Sequence, residues 1–345
     1  MTSPQFEIRP SVIRGDPADE YLHWTKEILR LESKNPKVLM EFYASKGGVI
    51  CGVDEAKSLL TSVLPKVDDE AIANVDNLGD DVQVWTVSEG DTFEAGDTIL
   101  RIISRYASFG LYETSLCGIL ASSTGWATAA NECVEAAGDT TVIAYGARHI
   151  HPNVAHIMDY SSIVGGCSSA STRLGSKQAG RNAFGNMPHT LPLIFGDTVS
   201  AAQAFDQRLD MAVQRIVLVD TFRDEVEESL GVAQALREKL RGVRLDTPKE
   251  RGGVTPMMVN EVRARLDQSN FRHVEIYVSG GFNPTRIRQF VEEQVPVNGF
   301  MVGSYITSAP PIDFTADIRE ISDHPVSKRG RLPGRVDSPG LERVI

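Results

Sequence analysis

TVIAYGARHIHPNVAHIMDYSSIVGGCSSASTRLGSKQAGRNAFGNMPHTLPLIFG, residues 141–196, decides how this chain is read. Four of the chain's seven histidines (His149, His151, His156 and His189) lie inside it. It opens on an apolar run, 141–145, closed by Gly146, which is the pattern of a buried strand with a loop at its C-terminal end. That loop carries Arg148, His149 and His151. A second strand-to-helix unit is expected at 163–180, entered through Gly165 and Gly166. A third apolar piece leads into Asn186, Met187, Pro188 and His189. Charged and imidazole groups at successive strand ends are where an α/β barrel or open α/β sheet assembles its site. His156 reads as a core or capping residue; Arg148 and His189 read as site residues.

Working outward, the second half alternates between strand and helix patterns. Strands are predicted at 141–145, 161–164, 192–195, 215–219, 243–245, 274–278 and 299–302. Helices are predicted at 168–180, 198–209, 224–241, 255–268 and 284–294. This succession predicts an α/β fold with a barrel or near-barrel. The first half has a different texture. A helix is predicted at 16–35, with Tyr21, Trp24, Ile28 and Leu31 on one face. Short strands follow at 37–44 and 48–52, then a helix at 53–64 capped by Asp54. Residues 82–106 are strand-like runs broken by acidic glycine turns, the signature of a small sheet-rich domain. A long helix at 110–137 ends at Gly138. A lipoyl- or biotinyl-type carrier would need a lysine at its hairpin tip, and none occurs between Lys66 and Lys177. The tail 323–345 reads as irregular.

The chain has 345 residues, 41% hydrophobic and 23% charged, with a formal charge of -11. An acidic surface argues against nucleic acid or an anionic membrane as the main partner. An anionic substrate would therefore need a local basic pocket. No apolar run approaches a membrane span, and the N-terminal MTSPQFEIRP lacks a leader pattern, so a cytoplasmic location is expected. The cysteines Cys51, Cys117, Cys133 and Cys167 form no C-x-x-C pair or zinc spacing. Cys117 and Cys133 read as core residues, and Cys167 has no evident activating partner.

Four consecutive predicted strands end in polar or glycine residues: Asp220-Thr221, then Asp246-Thr247 after Arg244, then Ser279-Gly280-Gly281, then Gly303-Ser304. Glycine turns on adjacent strand ends let backbone N–H groups approach a phosphate; the plain alternative is tight strand-to-helix turns. Asp220 and Asp246 suit a ribose diol or a Mg²⁺ held against a pyrophosphate; their plain alternative is helix N-capping. Neither a Walker A loop, a GxGxxG fingerprint nor a G-x-S-x-G elbow occurs. No predicted strand end carries a lysine, which argues against Schiff-base aldolase chemistry.

These residues resemble a known family. AYGARHIHP, IVGGCSSAST, GNMPHTLPLIFGD, VLVDTF, GVRLDTP, YVSGGFN, GFMVGSY and SKRGRLPGR occur in the order found in nicotinate phosphoribosyltransferases, within the type II group that also holds the nicotinamide and quinolinate enzymes. The resemblance covers about residues 16–335. It implies an irregular α/β barrel (116–310), an N-terminal open-faced α/β sandwich (1–115) and a C-terminal segment (311–345) returning to the sandwich. It implies homodimers that complete each other's sites, and condensation of nicotinate with phosphoribosyl pyrophosphate, Mg²⁺-assisted and in many members coupled to ATP through a phosphorylated histidine. That histidine would be His189. Tyr145 and Arg148 would hold the pyridine and its substituent, with His149 beside them, and Tyr21 would stack from the neighbouring subunit. Asp220, Arg244 and Asp246 would hold the ribose, pyrophosphate and Mg²⁺. Ser279, Gly280, Gly281, Gly303 and Ser304 would seat the 5′-phosphate, and Lys328 and Arg329 would reach the pyrophosphate. Some relatives, including amide-using ones, carry aspartate after the Gly-Gly-Cys turn. Here Ser168 and Ser169 follow Cys167, which is consistent with an acid substrate. Nicotinamide and quinolinate stay open as bases; Arg148, His149 and Arg173 could supply the extra cations of a quinolinate pocket. A non-catalytic homologue would be expected to have lost an acidic or histidine site residue.

Overall fold

A computed structural model of the chain describes residues 6–64 and 82–345. Residues 1–5, the start of the stretch read above as lacking a leader, and 65–81 fall outside it. The chain forms two units. One comprises residues 1–128 and 310–345, the other 129–309. The division falls inside the long helix Glu113–Ala137, later than the expected 115/116 boundary.

The first unit is built on an antiparallel sheet in the order His324–Pro325, Phe314–Ile321, Lys37–Ala44, Thr98–Arg105, Gln83–Thr86, Glu342–Arg343. Strand periodicity divides the central strand's side chains between two faces. Val38, Met40, Phe42 and Ala44 join Leu59 and Leu60 of helix Val53–Val63 and Leu116 and Leu120 of the long helix in one core. The opposite face is polar: Glu41 stands across from Arg101 and Asp317. Arg101 Nη2 lies 2.7 Å and Arg319 Nε 3.4 Å from the Glu41 carboxylate. Apolar packing on one face and an ion-pair lattice on the other make an open-faced sandwich. The C-terminal segment completes it through Phe314–Ile321, whose alternating Phe314, Ala316 and Ile318 pack against that core. Its charged members Asp317 and Arg319 are buried among partners instead of facing water. Helix Val53–Val63 is not capped by Asp54. The cap position is Gly52, and the Glu89 carboxylate accepts the N–H groups of Gly52 (2.8 Å) and Asp54 (3.1 Å). In helix Glu20–Leu31 only Leu22 is buried, so Tyr21, Trp24, Ile28 and Leu31 leave an apolar stripe exposed on the single chain.

The second unit is an irregular α/β barrel. Six parallel strands run in the order Ser169–Ala170, Thr141–Ala144, Gly299–Val302, Glu275–Val278, Leu240–Leu245, Arg215–Leu218. The stretch 182–187 hydrogen-bonds to both edges: Phe184 N–H donates to Ala170 O (2.9 Å) and Met187 N–H to Ile216 O (2.9 Å). Ile143, Ile216, Tyr277 and Met301 fill the interior, with Tyr145 and Phe184 packed against them. Two predicted strands are helical. Residues 161–164 end the helix Pro152–Val164, whose Ser161 and Ser162 donate to the carbonyls of Ile157 and Met158 without breaking it. The strand lies at Ser169–Ala170, inside the predicted helix 168–180, which is reduced to Arg173–Gln178. Residues 192–195 belong to helix Thr190–Phe195, where Pro192 falls in the first turn and lacks an N–H that the helix does not need there. Its apolar run faces outward, with Leu193, Ile194 and Phe195 exposed, and Met187 takes the place beside Val217. No helix among the described residues is long and apolar enough to cross a membrane.

Candidate active site

The C-terminal ends of the barrel strands carry a connected set of side chains centred on Arg244. This arginine leaves strand Leu240–Leu245 almost fully buried and uses its planar fork three times. Nε donates to Ser279 Oγ (2.8 Å), Nη1 to Asn186 Oδ1 (3.3 Å) and Nη2 to Asp246 Oδ2 (2.9 Å). Its guanidinium also lies 4.8 Å from the centre of the Tyr145 ring, a favourable cation–π distance. Tyr145 donates its hydroxyl to the same Asn186 oxygen (3.0 Å), and Ser279 donates to Asp246 Oδ1 (2.8 Å). Every member is thus held by another, which is what a preorganised site requires.

Beside this network stand Asp220 and His189. Asp220 adopts φ +82°, a left-handed conformation that surroundings must over-determine in a non-glycine residue. Its side chain is 1% exposed, and neither carboxylate oxygen has a hydrogen-bond partner of good geometry. His189 Nε2 lies 3.7 Å from Asp220 Oδ1, and His189 Nδ1 lies 3.0 Å from Thr221 Oγ1. Burial, then the nearby Asp246 and Glu225 carboxylates, push the Asp220 carboxyl up to about 7; the Asp246 N–H and Thr247 hydroxyl oppose the rise. Burial pulls His189 below its ordinary range, with Asp246 opposing and Arg244 reinforcing that shift. The imidazole is therefore neutral at physiological pH.

The glycine turns flank this group. Gly280 and Gly281 have φ +94° and +73°, and a Cβ on Gly280 would lie 3.4 Å from Asp246 Oδ1. Arg286 Nη1 donates to Gly280 O and Nη2 to Val254 O (2.5 Å), bracing the turn. Gly303 lies so close to Tyr145 that a Cβ would meet its carbonyl oxygen at 2.9 Å. His149 Nδ1 lies 3.2 Å from Ser304 Oγ, tying the 147–149 turn to the last strand end. Arg148, on that turn, is exposed and makes no hydrogen bond or ion pair with another described residue.

The barrel therefore brings together Tyr145, Arg148, His149, His189, Asp220, Arg244, Asp246, Ser279, Gly280, Gly281, Gly303 and Ser304. Neither aspartate is a helix cap, since Asp224 and Thr255 cap the helices that follow. Ser168 is not brought to this group. Its hydroxyl donates to Val142 O (3.1 Å), and the Ile143–Ser169 register sets it below the rim at Tyr145. Tyr21, Lys328 and Arg329 belong to the first unit. There Lys328 Nζ lies 3.1 Å from Asp317 Oδ1, and Tyr21 is 54% exposed. His151 caps helix Pro152–Val164 by accepting the Asn153 N–H, and His156 is half-buried on that helix. Cys167 is fully buried and its thiol is pushed far up, so it supplies no nucleophile. Sequence reasoning missed Asn186 and Thr221 as site partners. Both are named above with their motifs, but only their neighbours were given a role. It also missed Lys249, whose Cε would lie 3.9 Å from a Cβ on Gly281.

Chemically, the set offers two carboxylates, a neutral imidazole, a buried arginine, a free arginine and two glycine turns. No group of three or more His, Cys, Asp or Glu side chains among the described residues could enclose a metal by itself. The unpaired Asp220 oxygens and Asp246 do fit a Mg²⁺ that keeps most of its ligands from water and phosphates.

Family models match both units: the quinolinate phosphoribosyl transferase N-terminal domain over residues 23–124 and its C-terminal domain over 126–317. A nicotinate-nucleotide pyrophosphorylase from Pyrococcus furiosus superposes with a TM-score of 0.84 at 37% identity, covering 97% of this chain and 82% of that one. Human nicotinic acid phosphoribosyltransferase shares the fold, with a TM-score of 0.71 at 18% identity, 92% of this chain and 77% of that one. The nicotinate phosphoribosyltransferase pncB2 of Mycobacterium tuberculosis is 29% identical over 268 residues, 76% of this chain and 56% of its own. The chain spans about half the length of the curated relatives it matches.

Proposed function

We propose a function from one premise: the chain belongs to the quinolinate phosphoribosyl transferase family. We infer that it transfers the phosphoribosyl group of phosphoribosyl pyrophosphate to nicotinate, forming nicotinate mononucleotide and pyrophosphate on the way to NAD. The observation that carries this reading is Asp220, a buried carboxylate in a left-handed backbone whose oxygens have no hydrogen-bond partner of good geometry. A buried group left in that state costs free energy until a donor or cation arrives. Ribose hydroxyls and a pyrophosphate-bound Mg²⁺ are such partners. Asp220 and Asp246 would hold Mg²⁺, which when bound stabilises the charge of the departing pyrophosphate. The same carboxylates face the positive charge that develops on the ribose as its bond to pyrophosphate breaks. The glycine turns at 280–281 and 303 take the 5′-phosphate on backbone N–H groups. Tyr145 offers a ring to the pyridine, and Arg148, which pairs with no other described residue, takes a carboxylate. The apolar stripe of Tyr21, Trp24, Ile28 and Leu31 supports a homodimer in which each protomer lends Tyr21 to its partner.

Nicotinate is favoured because Arg244 is fully engaged and leaves Arg148 for one carboxylate. Quinolinate is the second reading, favoured by the family models. It would need Arg173 as a further cation. Initial rates with phosphoribosyl pyrophosphate and Mg²⁺ should be measured for nicotinate, nicotinamide and quinolinate, each with and without ATP. Turnover of nicotinate alone is expected. Preference for quinolinate would replace the base assignment, and no turnover of any base would leave a binding homologue.

A neutral His189 has one unprotonated ring nitrogen, the state needed to accept a phosphoryl group. His189→Ala is expected to abolish any stimulation by ATP while retaining part of the uncoupled transfer. An ATP effect that survived in this variant would remove His189 from that role.

A further inference from the structure

Helix Glu225–Leu236 opens with two buried glutamates on one face, Glu225 and Glu228. Each grips the threonine that follows a rim aspartate. Glu228 Oε2 accepts the Thr221 N–H at 2.9 Å, and Oε1 accepts those of Phe222 (2.9 Å) and Arg223 (3.3 Å) and the Thr198 hydroxyl (2.9 Å). Glu225 Oε1 accepts the Thr247 hydroxyl at 2.8 Å. The pairs Asp220-Thr221 and Asp246-Thr247, at the ends of adjacent strands, are thus latched to one helix end. The helix itself is capped by Asp224, which satisfies Val226 and Glu227 N–H and leaves both glutamates free for the turns.

The consequences reach three site groups. Asp220 holds φ +82° immediately before three N–H groups clamped by one carboxylate. Asp246 immediately precedes the threonine held by Glu225. Thr221, fixed through its backbone, sets its hydroxyl 3.0 Å from His189 Nδ1. With that hydroxyl donating to Nδ1, the ring proton sits on Nε2, which faces the Asp220 carboxylate at 3.7 Å. The partner of one ring nitrogen sets the tautomer at the other.

We propose that Glu225 and Glu228 are positioning residues: one helix end sets both Asp-Thr pairs and, through Thr221, the imidazole of His189. This deepens the reading of the rim as the phosphoribosyl-transfer site and rests on it. Glu228→Gln keeps the shape but turns one acceptor into a donor facing backbone N–H groups. It is expected to lower kcat about 10–100-fold, as loss of a supporting partner commonly does, with KM for phosphoribosyl pyrophosphate near the parent value. Where Glu228→Gln does not fold, Thr198→Val, which removes one of the carboxylate's bonds, should give a smaller loss of kcat in the same direction. The decisive readout is nitrogen-15 NMR of the His189 ring in the full chain above pH 8. The parent should show the Nε2–H tautomer, Thr221→Val a mixture, and Thr221→Ser recovery. Identical His189 ring signals in the parent and Thr221→Val, or a Glu228→Gln variant turning over at the parent rate, would overturn the proposal. The ring signal needs no substrate. A chain that used none of the bases would therefore remove the transfer reading, and the ring signal would still decide the positioning role.

Discussion

Asp220→Asn is expected to lose activity and gain stability, with the gain appearing only as pH rises. The Asp220 carboxyl titrates near 7 in the fold, against about 3.9 in an unfolded chain. Below about pH 4 both states hold the proton and the residue contributes nothing. Between about 4 and 7 the folded chain keeps a proton that the unfolded chain has released, so stability falls with rising pH. Above about 7 both states are ionised and the full cost, on the order of 4 kcal/mol, is present. Asparagine has no charge to bury and tolerates a left-handed backbone better than most residues. The stability difference between variant and parent, from urea unfolding, should therefore be near zero at pH 4 and grow to that magnitude by pH 8. A difference equal at both pH values would show that Asp220 is not a strained, ionising group. Transfer should fall about 10²–10³-fold, the usual scale for removing one preorganised electrostatic group. Such opposite signs are the mark of a residue kept for chemistry at a cost in stability.

Arg244→Ala should lose both. It withdraws the donor from Asp246, Ser279 and Asn186 and uncovers the Tyr145 ring at once. Removing Arg244 leaves the Asp246 charge uncompensated; with the Asp246 side chain 29% exposed, the cost should lie below the ~3–5 kcal/mol typical of a fully buried pair. Arg244→Lys restores the charge but not the fork, since an ammonium on a flexible stem cannot meet three acceptors and a ring face together. It should recover part of the stability and little of the transfer. Urea midpoints and kcat/KM measured on both variants test this. A lysine variant equal to the parent in both would mean that Arg244 acts as a point charge and the surrounding hydrogen bonds are incidental.

The sequence by itself determined the layout of the later strands. The runs at 215–218, 240–245, 275–278 and 299–302 are short, apolar and closed by polar or glycine residues. That is the pattern of short buried parallel strands that end in turns. Asp220, Asp246, the glycine turns and His189 were legible for the same reason: each sits at a boundary that local chemistry announces. Tertiary structure decided three other matters. Two apolar stretches, 161–164 and 192–195, had the composition of strands but lacked an edge to pair with, because Ser169–Ala170 and Met187 already occupied those places. Ser168 read as a pocket residue until strand register turned its hydroxyl onto Val142. The latches from Glu225 and Glu228, the fork of Arg244 and the Thr221 contact to His189 join residues on different elements, and no local period encodes them. Periodicity and turn chemistry report what a segment can form. Which hydrogen bonds it forms depends on partners that only the closed barrel brings within reach.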